Sequence, residues 1–219
     1  LEENPLIKTV VFSGGTFDSQ FPIIKMNQTL LLSFDDISGE ENFYYYRIIH
    51  CNFDWSKSKL LKSEYLDGND NNLIDNIESS YGTLQRYTNY KLSLPNNDVG
   101  FKVSGNYLLE ILDSDDNVIL KRKFLILDEK VSVDLNVYPS QKSDRFYTHQ
   151  NVQFVINTSR YKIRNPNNDI KVTVLQNDQW DNSKTILKPQ FIEKNRLLYR
   201  YNEVHLHMDY AATILKKIS

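Results

Sequence analysis

Cysteine is almost missing from the chain: Cys51 stands alone among 219 residues. No intrachain disulfide can form, so cysteine usage argues neither for nor against an oxidising compartment. Glycine is scarce as well, seven against fourteen tyrosines, a balance that points to many strands bordered by amphipathic rings. An excess of either charge is also lacking. The net charge is −2, which gives no electrostatic case for nucleic acid or for an anionic membrane surface. No apolar run approaches the ~18–20 residues of a membrane span, so direct membrane insertion is not expected. The opening Leu1-Glu2-Glu3-Asn4-Pro5 is acidic and lacks the apolar segment of a signal peptide. No G-x-S-x-G, Walker loop or Gly-rich dinucleotide turn occurs, and helical periodicity is nearly absent.

What remains is a folded composition, 40% hydrophobic and 12% aromatic, long enough for two modest domains with real cores. The strongest single stretch is Phe43–Cys51, rich in aromatic and β-branched residues with no Gly or Pro inside it. Period two places Tyr44, Tyr46, Ile48 and His50 on one face and Tyr45, Arg47, Ile49 and Cys51 on the other. Large side chains on both faces predict a central strand covered on both sides. Phe53 and Trp55 extend the bulky pattern, and Trp55 is expected to anchor the core with its indole N–H on backbone. Tyr46, Ile48, His50, Trp55 and Tyr65 are the expected core side chains.

Along the rest of the chain, Leu6–Phe12 and Thr29–Phe34 read as strands, the second stopped by Asp35-Asp36. Lys57–Leu66 reads as loop with one helical turn, and Asp67–Asn76 as a turn-rich Asp/Asn stretch. Leu84–Leu94 returns to strand. Tyr107–Leu112 and Val118–Leu127 flank Asp113–Asn117 as a hairpin. The pattern predicts an all-β fold, an antiparallel immunoglobulin-like β-sandwich over residues 1–130, followed by a second β-domain over 131–219. Only Val131–Tyr138, Val152–Asn157, Ile170–Gln176 and Leu197–Tyr201 read as strands there, too few for a closed sandwich, so the second domain is expected to be incomplete. Ala211, Ile214, Leu215 and Ile218 fit one face of a terminal helix, with Lys216 and Lys217 near its end.

Tyr44-Tyr45-x-Arg47-Ile48-Ile49-His50-Cys51-Asn52-x-Asp54-Trp55, followed by Ser63-Glu64-Tyr65-Leu66-Asp67-Gly68, resembles the first domain of the type IX secretion system plug family of Bacteroidetes. The likeness continues, in order, through Leu32–Asp36, Thr83-Leu84-Gln85, Tyr87-Thr88-x-Tyr90, Leu94-Pro95-Asn96 and Lys102–Tyr107. It stops at Asn202-Glu203, and nothing functional carries onto residues 204–219. The resemblance implies a non-catalytic periplasmic protein without cofactor. Its partner would be the giant outer-membrane translocon barrel of that system, which it would occlude when idle; if exported, the chain is then a mature or trimmed one. The rival reading is a carbohydrate-binding or cell-surface β-sandwich module, for which Trp180, in a polar run, is the one isolated tryptophan.

Several residues invite chemistry. His50 and Cys51 are adjacent on a strand and so point to opposite faces, which favours a buried Cys beside a hydrogen-bonded His over a nucleophile or metal pair. Asp67, Asn69, Asn71, Asp75 and Glu78 match places one, three, five, nine and twelve of an EF-hand loop, although place six is Asn72 and the flanks are poor helices. A solvated turn is the competing and preferred reading. His205-x-His207-x-Asp209 would put three ligands on one strand face, but Tyr210 stands where a metallo-β-lactamase-type site needs another His. Asp35-Asp36 and Glu40-Glu41 read as solvated loop charges.

Overall fold

Alternating apolar runs become strands almost wherever they occur in the chain. The computed structural model describes residues 4–14, 22–140, 146–176, 179–186, 188–200, 205–207 and 212–218. The chain divides into two units, Leu1–Asp128 and Glu129–Ser219.

In the first unit the order is β1 (Ile7–Gly14), β2 (Ile23–Lys25), β3 (Leu30–Asp36), β4 (Tyr45–Cys51), α1 (Lys62–Tyr65), β5 (Leu66–Gly68), β6 (Asn72–Leu73), β7 (Asn76–Ser79), β8 (Thr88–Leu94), β9 (Val99–Phe101), β10 (Gly105–Leu112) and β11 (Val118–Leu127). Two sheets form a sandwich, β1-β3-β8-β7 and β2-β11-β10-β4-β6, with β5 and β9 as a separate pair. The pairing is antiparallel except where β2 runs parallel to β11. One cluster fills the space between the sheets, with Phe34, Tyr46, Ile48, Tyr90, Tyr107 and Phe124 among its largest members. Each such side chain contributes about 1.5–3 kcal/mol by leaving water.

β4 lies inside its sheet between β10 and β6. Tyr46, Ile48 and His50 sit opposite Ile111, Leu109 and Tyr107, and all six are buried. The other face is less fully covered than expected and carries charge at its centre. Arg47 lies opposite Glu110, which in turn lies opposite Lys121. Tyr45, Arg47 and Ile49 are half-buried there.

Trp55 is not a core anchor. The strand ends at Cys51, and the chain reverses through Asn52–Ser56, with the Asn52 N–H on the Ser56 carbonyl at 2.8 Å and the Ser56 N–H on Asp54 Oδ1 at 3.1 Å. Trp55 takes a left-handed φ of 66° in that turn. It ends half-buried, with Lys123 Nζ 4.9 Å from its ring centroid. Lys123 pairs with Leu108, which pairs with Ile49, so Trp55 meets the face of the sheet that points away from the core.

The second unit holds β12 (Ser132–Pro139), β13 (His149–Asn157), α2 (Pro166–Asp169), β14 (Ile170–Gln176), β15 (Gln179–Ile186), β16 (Phe191–Glu193), β17 (Arg196–Tyr199), β18 (His205–His207) and β19 (Ala212–Ile218). One sheet is β12-β13-β17-β16 with β18 beside β13, the other β15-β14-β19. That is eight strands among the described residues, against the four read from the sequence. The terminal segment is a strand, not a helix. β19 pairs antiparallel along the whole of β14, from Ile170↔Ile218 to Gln176↔Ala212. Seven residues with two apolar neighbours fit either period, and the ladder decides between them. The core joins Val152, Phe154 and Ile156 to Val172, Val174, Leu197 and Tyr199, with Phe154 and Tyr199 stacked at 4.5 Å.

Candidate interaction surface

His50 and Cys51 face opposite ways, as strand geometry requires. His50 sits in the core between Tyr65 and Tyr107, with ring centroids at 5.6 and 5.0 Å, and its Nδ1 meets Ser58 Oγ at 2.8 Å. Gly105 presses on the same ring. Its φ is 152°, and a Cβ there would lie 2.5 Å from His50 Nε2, so the strand can pass the imidazole only without a side chain. Cys51 is buried on the other face, its thiol directed at the Ile49 carbonyl. Sequence neighbours here share no substrate.

The EF-hand spacing dissolves into three separate ladders. Asp67 lies on β5 opposite Gly100, with Lys102 Nζ at 3.5 Å. Asn69 and Asn71 are exposed, Asn71 at a left-handed φ of 75°, and Asp75 is exposed after β6. Glu78 lies on β7 opposite Asn89 and pairs with Lys91 at 2.7 Å. Among the described residues no three His, Cys, Asp or Glu side chains are grouped to hold a metal. Backbone taken up by strand pairing cannot wrap around an ion. The inward acid is Asp70, which the spacing leaves unused; it accepts the Ile48 N–H at 2.8 Å and pairs with Lys62. A buried carboxylate thereby ties this loop to the central strand.

Asp36 is likewise no solvated loop charge. It is fully buried and accepts from Tyr44 Oη at 2.9 Å, Asn42 Nδ2 at 2.8 Å and the Ser38 N–H at 2.8 Å. Burial, and after it the bond to Asp36, pushes the Tyr44 phenol well above its ordinary value, so Tyr44 stays a donor at neutral pH. Asn42 also exchanges two backbone bonds with Tyr90 Oη, at 2.9 and 2.7 Å. Phe34, Tyr44 and Tyr90 form a contiguous ring cluster beneath, with Phe34 and Tyr90 stacked at 5.2 Å. Asp35 accepts from Asn89 Nδ2 at 2.7 Å, while Glu40 and Glu41 are exposed.

These bonds fix the β3–β4 loop, and the β7–β8 loop is bonded onto it. Gln85 Nε2 donates to the Ile37 carbonyl at 3.1 Å and Thr88 Oγ1 to the Glu40 carbonyl at 3.2 Å. Within the β7–β8 loop, Ser80 and Tyr87 close the base, and Thr83 Oγ1 donates to the Gln85 carbonyl at 2.7 Å. From this bonded frame Tyr81 and Leu84 project fully into solvent, and Phe43 on the adjoining loop is 58% exposed. Exposed aromatics and a leucine on bonded loops are side chains of the kind that anchor protein contacts. Such a frame presents apolar area with little ordering entropy left to lose on contact.

The His205-x-His207 run lies on β18, opposite Asn151 and His149 of β13; Asp209 lies outside the described residues, as does the side chain of Trp180. No described helix is long and apolar enough to cross a membrane.

Residues 7–128, the whole first sandwich, match the family profile of the type 9 secretion system plug protein first domain. The chain belongs to this family. A crystal structure of a hypothetical protein from Parabacteroides merdae is 34% identical, with a TM-score of 0.88; the match covers 94% of this chain and 53% of that one. The chain therefore spans about half the length of that relative. A search among curated proteins gives no match.

Within the plug-family portion, sequence reasoning missed both the buried acids and the exposed loop. Thr83-Leu84-Gln85 carries the resemblance, and Leu84 and Gln85, expected at the start of a strand, lie before it, since the strand begins at Thr88. The available signal was Ser79-Ser80-Tyr81-Gly82, a turn-forming run directly before it.

Proposed function

We propose that the protein is a non-catalytic, periplasmic docking component of type IX secretion. It seats against the outer-membrane translocon barrel and occludes that pore while no substrate is leaving. The observation that carries this reading is the loop end of the first sandwich, where Phe43, Tyr81 and Leu84 stand exposed on a frame held by Asp36, Asn42 and Tyr90. Occlusion needs shape, rigidity and contact area, not a reactive group, and aromatic anchors on a fixed backbone supply them. Membership of the plug family supports the partner.

The test is a permeability assay. Cells lacking the protein should admit bulky hydrophilic molecules that the outer membrane normally excludes, and removing the barrel as well should abolish the leak. Re-expression of a Tyr81→Ala, Leu84→Ala double variant should leave the leak open with the melting temperature unchanged, because neither side chain packs in the fold. Cys51→Ser, at the far end of β4 from the β3–β4 loop, should seal it. Normal impermeability of the single deletion, with the barrel present, would end the plug reading; sealing by the double variant would remove the loop end from it.

A further inference from the structure

The second unit carries a cleft of about 620 Å³ on one side of its sheet, within the size range of ligand sites. One wall is the β16–β17 hairpin, with Ile192, Lys194, Asn195 and Leu197; the other is the segment after β13, with Lys162, Ile163, Arg164 and Pro166. The two walls are tied where the Thr158 N–H donates to the Asn195 carbonyl at 2.8 Å.

Three properties of the cleft converge. β16 closes its sheet in the strand order, so it is an edge strand among the described residues. Ile192 pairs with Leu197, which pairs with Ile156, so Ile192 lies on the core face of the sheet, yet it is half exposed. An apolar side chain on a core face but at an edge is a place where a further strand would find cover. Third, Lys162, Arg164 and Lys194 line the cleft against one acid, Glu193, whose carboxylate faces Arg196 at 3.6 Å. Lys162, Arg164 and Lys194 are exposed, and none has an ion pair among the described residues.

We propose that this cleft receives an extended, acidic segment of another polypeptide by strand addition to β16. In an added strand alternate side chains share a face. The chemistry recognised is therefore a carboxylate and an apolar side chain two residues apart. The apolar one would sit on Ile192, Leu197 and Ile163, and the carboxylate would meet Arg164 and the lysines. Main-chain bonds supply affinity in this mode of recognition, and the pocket supplies selectivity. This surface is separate from the loop end of the first sandwich and does not depend on the plug reading.

The experiment uses the full chain and fluorescently labelled peptides of about six residues, the usual strand length, carrying Glu-Thr-Leu, with Lys-Thr-Leu and Glu-Thr-Thr controls. Anisotropy should show binding of the Glu-Thr-Leu peptide tighter than about 1 mM, weakening as salt rises. A Lys162→Glu, Arg164→Glu double variant should lose at least about tenfold, or 1.4 kcal/mol; both residues are exposed, so the melting temperature should hold. Methylating alternate backbone nitrogens of the peptide should abolish binding, since charge attraction alone would survive it. Absence of binding, equal binding of the lysine control, indifference to charge reversal, or full retention after N-methylation would each overturn the proposal.

Discussion

Glu110 offers the sharpest test of the energetics. Its carboxylate is buried on the outward face of the central sheet, yet it accepts from Arg47 Nη2 at 2.7 Å and Nε at 3.0 Å through one oxygen, and from Lys121 Nζ at 2.6 Å through the other. Burial by itself would raise its pKa; the bonds from Lys121 and Arg47 outweigh that and hold the group below its ordinary 4.5. Glu110→Gln keeps the shape but leaves one amide oxygen for two cations and turns an NH₂ toward one of them. Removing one partner of a buried ion pair costs about 3–5 kcal/mol. Both cations are about one-third exposed, with side-chain exposures of 36%, so water recovers part of that, and about 2–3 kcal/mol should remain.

The assay is urea unfolding followed by tryptophan fluorescence in a Trp180→Phe background, so that Trp55 reports the first unit alone. Because the folded pKa is depressed, the stabilisation is fully present above 4.5 and is lost as pH falls through the folded value. The stability difference between the parent protein and the Glu110→Gln variant should therefore hold from neutral pH down to about 4.5 and shrink below it, with m unchanged. A difference under about 1 kcal/mol at neutral pH, or one that persists undiminished in acid, would refute the three-residue network as the source of stability.

Two further outcomes follow from the same geometry. Trp55→Ala should cost only about 1–2 kcal/mol, since a half-buried ring over Lys123 loses partial burial and a cation–π contact; a loss of about 3–5 kcal/mol in chemical unfolding would restore the core-anchor reading. Gly105→Ala should cost about 2 kcal/mol or more, from the positive φ and the collision with His50, and a cost below about 0.5 kcal/mol by the same measure would show that the ring moves freely.

What the sequence made legible was local and repeated. The β10–β11 hairpin could be read because two long apolar runs flank Asp113–Asn117, and Asp113 does bond the Asp115 and Asn117 N–H groups, both at 2.9 Å. The inward face of β4 followed from period two. Trp55 was misplaced because bulk continuing past a strand reads as more strand, while Asn52 and Asp54 bend the backbone before it. Asp36 and Asp70 were invisible for another reason. An acid next to a turn is normally solvated, and only partners six to eight residues along the chain, Asn42 and Tyr44 in one case and Lys62 in the other, make its burial tolerable once the loop folds back. The calcium spacing assumes one continuous loop, whereas this segment is divided among three ladders.

The buried acids also explain why an exposed loop can act as a contact surface at all. A loop carrying Tyr81 and Leu84 without internal bonds would bury them on itself or lose ordering entropy on every encounter. Here Asp36 orders Asn42, Asn42 and Tyr90 hold the β3–β4 loop, and that loop receives Gln85 and Thr88 from the next. The polar interior thus fixes an apolar exterior. The cleft of the second unit is organised differently, by a strand that lies at the edge, and cations that have no ion pair, among the described residues, instead of a fixed apolar tip. A broad rigid tip suits a single preformed partner, whereas an edge strand beside a basic cleft suits extended segments that share only a pattern. The family profile covers the first and ends before the second.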